Sequence, residues 1–271
     1  MNRIELLRLD YLFSVILPCL LAIYVNYLNI IDYLNIIFGW GFLGITGNLL
    51  NDIKDKDRDI PFRDKELATI ALVSFGLGIM LLLKSLLLNL IILCLALSSI
   101  ILVVLYCIKL KPYPITNKIV LVTSHVIFPY LIIKIASNYA PWQFPSLDKI
   151  FRLLNLDERF FWGEIALLTA FFVFTFSSQV THEAIDQEAI QNYSLGTTQI
   201  VVQIASILTI ILIGLTILLL ADIYLIPLAF APAGPIYVFR RPKVPSPGIK
   251  DVGIVIGNLL MVYFLVLILQ G

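Results

Sequence analysis

Apolar residues fall in long unbroken runs along this chain, and the polar residues collect in the short intervals between them. The alternation has neither the period of an amphipathic surface helix nor that of a half-buried strand, so each run is expected to be apolar on every side. Runs long enough to cross a bilayer, about 17 to 25 residues, lie at roughly 11–31, 33–50, 67–83, 87–108, 119–136, 160–180, 198–221, 223–238 and 252–269. The pattern predicts nine membrane helices. Pro227, Pro232 and Pro235 interrupt the eighth run; proline removes a backbone donor and crowds the preceding turn, so that helix is expected to be kinked or broken.

Composition agrees with the pattern. Of the 271 residues, 60% are hydrophobic and 14% charged, and the mean hydropathy is +0.96. That much apolar surface cannot be hidden inside one water-soluble globule, and nothing in the chain points to nucleic acid as a partner. The expectation is an all-α, multi-pass integral membrane protein that forms a single polytopic domain over residues 1–271. Arg3 and Arg8 precede the first run as they would in a secretory signal, but the run is too long for one and no small-x-small site follows promptly, so it is read as a span. Cys19, Cys94 and Cys107 sit within or at the ends of apolar runs and read as buried thiols.

Net charge is only +1, with an asymmetry behind it. When the loops are assigned to alternate sides, Lys84, Lys134, Lys149, Arg152 and Arg159 fall on one side and every other Lys and Arg on the opposite side. By the positive-inside rule, the N-terminus and the polar segments 51–66, 109–118 and 182–198 are cytoplasmic. The basic, proline-containing stretch 240–250 is a loop that sets topology and meets lipid headgroups.

The first of those segments opens with Asn51, Asp52, Asp55, Asp57 and Asp59. Residues four apart share a helix face, so Asn51, Asp55 and Asp59 form a stripe about 12 Å long with Asp52 beside it, while Asp57 points elsewhere. Such a stripe of carboxylate and amide oxygens suits hard divalent cations. The bland alternative is a solvated loop in which Lys54, Lys56 and Arg58 pair with the acids.

The arrangement N-D-x-x-D-x-x-x-D formed by Asn51, Asp52, Asp55 and Asp59 resembles the first signature of the UbiA superfamily of intramembrane prenyltransferases. A second polar segment, His182-Glu183-Ala184-Ile185-Asp186-Gln187-Glu188 with Gly196, Thr197 and Thr198 further on, resembles the family's H-x-x-x-D-x-x-x-D-x-x-x-G-x-x-T pattern. It departs from that pattern. Anchored on His182 and Asp186, it has Ile190 where the second Asp belongs and a two-residue insertion before Gly196; anchored on Gly196, it has Glu188 and Asn192 in place of the aspartates. Residues 181–197 contain no Lys or Arg, so a metal is expected to supply the charge opposite Glu183, Asp186 and Glu188. A polar helix end with unpaired acids is the alternative. Tyr106-Cys107-Ile108-Lys109-Leu110-Lys111 is similar to the family's Y-x-x-x-L-K stretch, whose basic residue reaches the donor diphosphate; simple positive-inside topology is the alternative.

The resemblance implies a bundle of about nine transmembrane helices with a central cavity, and Mg²⁺-dependent transfer of an isoprenyl group from an allylic prenyl diphosphate to an aromatic or lipid acceptor within the bilayer. It implies Mg²⁺ ligands at Asn51, Asp52, Asp55, Asp59, Glu183, Asp186 and Glu188. Diphosphate and substrate contacts would come from Asn51, Tyr106, Lys109, Lys111 and Arg63, and catalytic roles from Asp55, Asp59, Asp186 and Lys109. Two other functions compete. A UbiA-related terpene cyclase would release diphosphate with no acceptor present, and a transporter or channel would place its acids near the bilayer midplane. His125, inside the fifth run, is read as cavity lining and as a contact for a polar acceptor.

Overall fold

A computed structural model of the protein describes residues 9–55, 62–138, 158–186, 189–239 and 250–270. Expectations for Asp57, Asp59, Glu188 and the 240–249 loop lie outside the described residues, as do those for the side chains of Asp55 and Asp186. The order of elements is α1 (Phe13–Val25), α2 (Leu34–Asp55), α3 (Asp64–Leu88), α4 (Leu90–Leu105), α5 (Thr116–Val122), α6 (Phe128–Asn138), α7 (Glu158–Asp186), α8 (Leu195–Leu220), α9 (Ala233–Val238) and α10 (Lys250–Gln270). Single π-helical turns, Tyr106–Leu110 and Thr123–Ile127, follow α4 and join α5 to α6. No strand occurs among the described residues.

Seven stretches are long and apolar enough to cross a membrane: 30–54, 64–88, 90–110, 116–137, 158–185, 195–220 and 252–270. Two shorter apolar helical stretches, 13–25 and 223–238, stand at the first and eighth expected spans. The all-α, multi-pass architecture read from the sequence is the one observed. The eighth run is indeed broken: a 3₁₀ helix, Ile223–Phe230, contains Pro227, and α9 follows it after Pro232.

Contacts divide the chain into two compact units. The first comprises Met1–Leu110, Thr123–Gln143 and Met261–Gly271; the second comprises Lys111–Val122 and Phe144–Leu260.

In the first unit α2 packs along α3 through small residues. A Cβ built on Gly39 would stand 2.7 Å from Leu82 Cγ, and one on Gly78 would stand 3.1 Å from the Gly39 carbonyl oxygen. Only glycine admits this approach, the usual basis of tight helix crossings in lipid, where burial of apolar surface supplies little drive. Hydroxyls reinforce the pair. The Phe42 carbonyl accepts from Thr46 Oγ1 at 2.9 Å on its own helix and from Ser74 Oγ at 2.8 Å across the crossing. Ile45, Leu49, Leu67 and Ala71 form the core between the two helices toward the α2 C-terminus. The 13-residue α1 is buried on nearly every side, which explains why its run reads as fully apolar although the helix is too short to span on its own.

In the second unit α7 packs on α8, and a Cβ on Gly163 would overlap the Leu220 side chain. Val180, Ile190, Val202, Val238 and Phe239 form its core, and Gln199 Nε2 donates to the Phe239 carbonyl at 2.7 Å. Ser194 caps α8, its Oγ accepting from the Thr197 N–H at 3.1 Å. The helix ends at Ala221 in the left-handed conformation, with φ 54°.

Candidate functional site

The first acidic motif ends a helix. α2 continues past the apolar run to Asp55, so Asn51, Asp52 and Asp55 all occupy its last turn and a half. Asp52 is 2% exposed and Asn51 is half-buried. The C-terminus of a helix carries the negative end of its dipole, which makes it an unfavourable place for carboxylates and a favourable one for cations. Burial adds to that cost. Asn51 and Asp52 bring only hard oxygen donors, the chemistry that Mg²⁺ takes, so the residues present fit that ion. Among the described residues, no group of three His, Cys, Asp or Glu side chains assembles as a metal cluster.

Just beyond this motif, Arg63 is exposed at the N-cap of α3, where its backbone N–H donates to Glu66 Oε2 at 3.3 Å. The basic stretch lies in the π turn after α4. There Lys109 is exposed, Tyr106 half-buried and Cys107 buried. π turns insert one extra residue into a helical turn and recur at functional sites. Spacing arguments based on a regular helix therefore do not transfer to Tyr106 and Lys109.

In the second unit, α7 carries His182, Glu183 and Asp186 in its final turn. Glu183 is 4% exposed and engaged at both oxygens: Asn117 Nδ2 donates to Oε1 at 2.6 Å and Lys118 Nζ to Oε2 at 2.7 Å. Lys118 is fully buried and also donates to the Pro114 carbonyl at 2.6 Å and to Asn117 Oδ1 at 3.3 Å. All three ammonium protons are thereby used. This corrects one expectation: the charge opposite Glu183 comes from Lys118, on a different segment, and not from a metal. A search for countercharge within residues 181–197 could not find it. Asn117 Nδ2 further donates to the Lys111 carbonyl at 2.9 Å, so Glu183 ties the half-buried Lys111 and its loop to the end of α7.

Ile190 explains the departure at the second motif. Where one anchoring of the pattern has an aspartate, Ile190 is 8% exposed and packs against the Val180, Val202, Val238 and Phe239 core. Asn192, the substitute under the other anchoring, is exposed. Thr197 and Thr198 belong to the cap of α8, both bonding to Ser194.

Comparison with known proteins adds the fold. No protein-family model and no curated protein sequence matches the chain. In structure, the chain is similar to a solved digeranylgeranylglyceryl phosphate synthase, described as studied in membranes, with a TM-score of 0.59 and 17% identity. The match covers 98% of this chain and 97% of that one. The fold is UbiA-like. On this UbiA-like fold the residues singled out from sequence lie at helix ends: Asn51, Asp52 and Asp55 on α2, Lys109 in the π turn after α4, Glu183 and Asp186 on α7. The residues that sequence reasoning missed are Asn117 and Lys118. Their signal was a lysine inside an apolar stretch, where an unneutralised charge is costly and requires a buried partner.

Proposed function

We propose that the protein is a Mg²⁺-dependent intramembrane prenyltransferase, which moves an isoprenyl group from an allylic prenyl diphosphate to an aromatic or lipid acceptor. The observation that carries this reading is the buried Asp52 beside Asn51 at the negative end of α2, on a fold shared with a digeranylgeranylglyceryl phosphate synthase.

Asn51, Asp52, Asp55 and Asp59 are the ligands to the ion from the first segment, with Asp186 and Glu188 contributing from the second. Mg²⁺, when bound, supplies Lewis-acid polarisation of the diphosphate and offsets its charge. Lys109, Lys111 and Arg63 bind the departing diphosphate, which takes the electron pair of the breaking carbon–oxygen bond and gains negative charge as it leaves. The allylic carbon then bonds to a nucleophilic atom of the acceptor, which loses a proton. Glu183 touches neither substrate nor ion in this scheme; it is a positioning residue, holding Lys118, Asn117 and, through Asn117, the Lys111 loop. The buried acids argue against carriage of an ion across the membrane. Asp52 and Glu183 lie in the last turns of α2 and α7, and Glu164 in the second turn of α7, whereas ion carriage calls for acids near the midplane.

The test is diphosphate release by the purified protein in lipid with Mg²⁺ and prenyl diphosphates of several lengths, with and without a panel of acceptors. Acceptor-dependent release is expected. Equal release without acceptor would identify a cyclase instead, and no release with any pair would refute the reading.

A further inference from the structure

The first unit holds a cavity of about 360 Å³, within the range of small-molecule sites. Its walls are mostly apolar, and its polar points are Trp40 and Thr46 of α2, Ser99 of α4, and Ser124 and His125 of the π turn Thr123–Ile127. No Asp, Glu, Lys or Arg lines it.

The hydroxyls are already committed. Thr46 Oγ1 donates to the Phe42 carbonyl at 2.9 Å, Ser99 Oγ to the Ser124 carbonyl at 3.3 Å, and Ser124 Oγ pairs with His125 Nδ1 at 2.9 Å. Trp40 is different. It is 3% exposed, yet its indole Nε1 has no hydrogen-bond partner. A buried donor left unmade costs about 1–3 kcal/mol, a cost that a ligand oxygen would remove. The indole only donates, so the ligand must accept.

Position links this cavity to the acidic motif. Its wall along α2 runs from Trp40 to Leu50, the residue immediately before Asn51, and ten residues of helix span about 15 Å. On α3 the wall includes Leu72, which is 70% exposed, so a molecule dissolved in the bilayer has a way in.

The geometry points to this cavity as the acceptor subsite of the transferase proposed above, a reading on which this inference rests. The acceptor it takes is uncharged and mainly apolar, a one- or two-ring aromatic molecule whose carbonyl or ether oxygen accepts from Trp40 Nε1. An aromatic carboxylate or a glycerol phosphate would enter with no cation to meet it, at a large desolvation cost. A plain hydrocarbon tail would leave the indole donor unmade.

Saturation binding of radiolabelled menadione, a neutral naphthoquinone, to the full chain in lipid nanodiscs tests this, with 4-hydroxybenzoate and tetradecane as competitors. Menadione should bind at one site per chain. Trp40→Phe keeps an apolar ring and removes the donor, and should weaken binding about three- to tenfold, the worth of one hydrogen bond. Ala68→Phe, at an exposed position of the same wall, should weaken it by obstruction with no effect on thermal stability. Unchanged affinity in both variants overturns the proposal, as does 4-hydroxybenzoate competing as well as menadione, or tetradecane displacing it with no Trp40 effect. Mg²⁺-dependent binding of geranylgeranyl diphosphate, measured on the same samples, reports the transferase reading separately. Loss of that signal with a retained Trp40 effect would refute the transferase and leave a neutral-ligand site.

Discussion

Lys118 Nζ lies 2.7 Å from Glu183 Oε2, and neither side chain reaches solvent. A buried pair of this kind is neutral or mildly unfavourable compared with apolar packing, because both ions lose their hydration, but breaking it leaves an isolated charge in a medium that cannot solvate it. Glu183→Gln should therefore destabilise the protein by about 3–5 kcal/mol, while the double variant Lys118→Met, Glu183→Gln should recover most of that loss. Thermal unfolding in detergent compares the three. The double variant also separates positioning from ligation: its half-maximal Mg²⁺ concentration should match the wild type, and a large rise would make Glu183 a ligand after all.

At the first motif the same kind of substitution should act on chemistry. Asp52→Asn keeps the shape of the buried side chain at the end of α2 and removes its charge. Losing a carboxylate ligand should lower Mg²⁺-dependent diphosphate release about a hundredfold, since Lewis-acid stabilisation is worth several kcal/mol. Circular dichroism should be unchanged. Release at the wild-type rate would remove Asp52 from the site. Asp57→Ala, off the predicted stripe, should be mild in the same assay.

Two glycines of α3 should respond in opposite directions to one added methyl group. At Gly78 it would meet the Gly39 carbonyl and the Leu43 side chain at 3.1 Å, whereas at Gly76 nothing lies within 4 Å. Gly78→Ala should cost about 1–3 kcal/mol by overpacking the α2–α3 crossing. Gly76→Ala should gain up to about 1 kcal/mol from helix propensity alone. Melting temperatures of the two variants, in opposite order to wild type, check the crossing.

The end of α8 offers a stabilising change. Ala221 holds φ 54° and ψ 34° as the C-cap, a conformation that strains any residue with a Cβ and suits glycine. Ala221→Gly should raise stability by about 0.5–1 kcal/mol. A lower melting temperature would show that the cap is not left-handed in solution.

The membrane helices were legible because lipid-exposed helices must be apolar on all sides, a signal that survives without any knowledge of packing. It misled only at α1, where the same all-round apolarity comes from protein burial of a 13-residue helix. Prolines 227, 232 and 235 announced the broken eighth span because proline acts locally. The acids at the end of α2 were legible as a cluster. Their burial was not, since burial depends on what packs alongside. Lys118 escaped attention because its partner is 65 residues away, and Ile190 read as a defect in a motif until its place in the α7–α8 core gave it a reason. The π turns at Tyr106 and Thr123 have no sequence signature of their own. They shift the register of Lys109 and His125 relative to what a regular helix would give.

The distance along the chain between Lys118 and Glu183 sets an order of events during synthesis. The lysine leaves the ribosome 65 residues ahead of its carboxylate, a delay of about 3–13 s at ordinary elongation rates. Until α7 is made, the nascent lysine can be accommodated only by water or lipid headgroups, so the second unit closes around it late, once translation has delivered the matching acid.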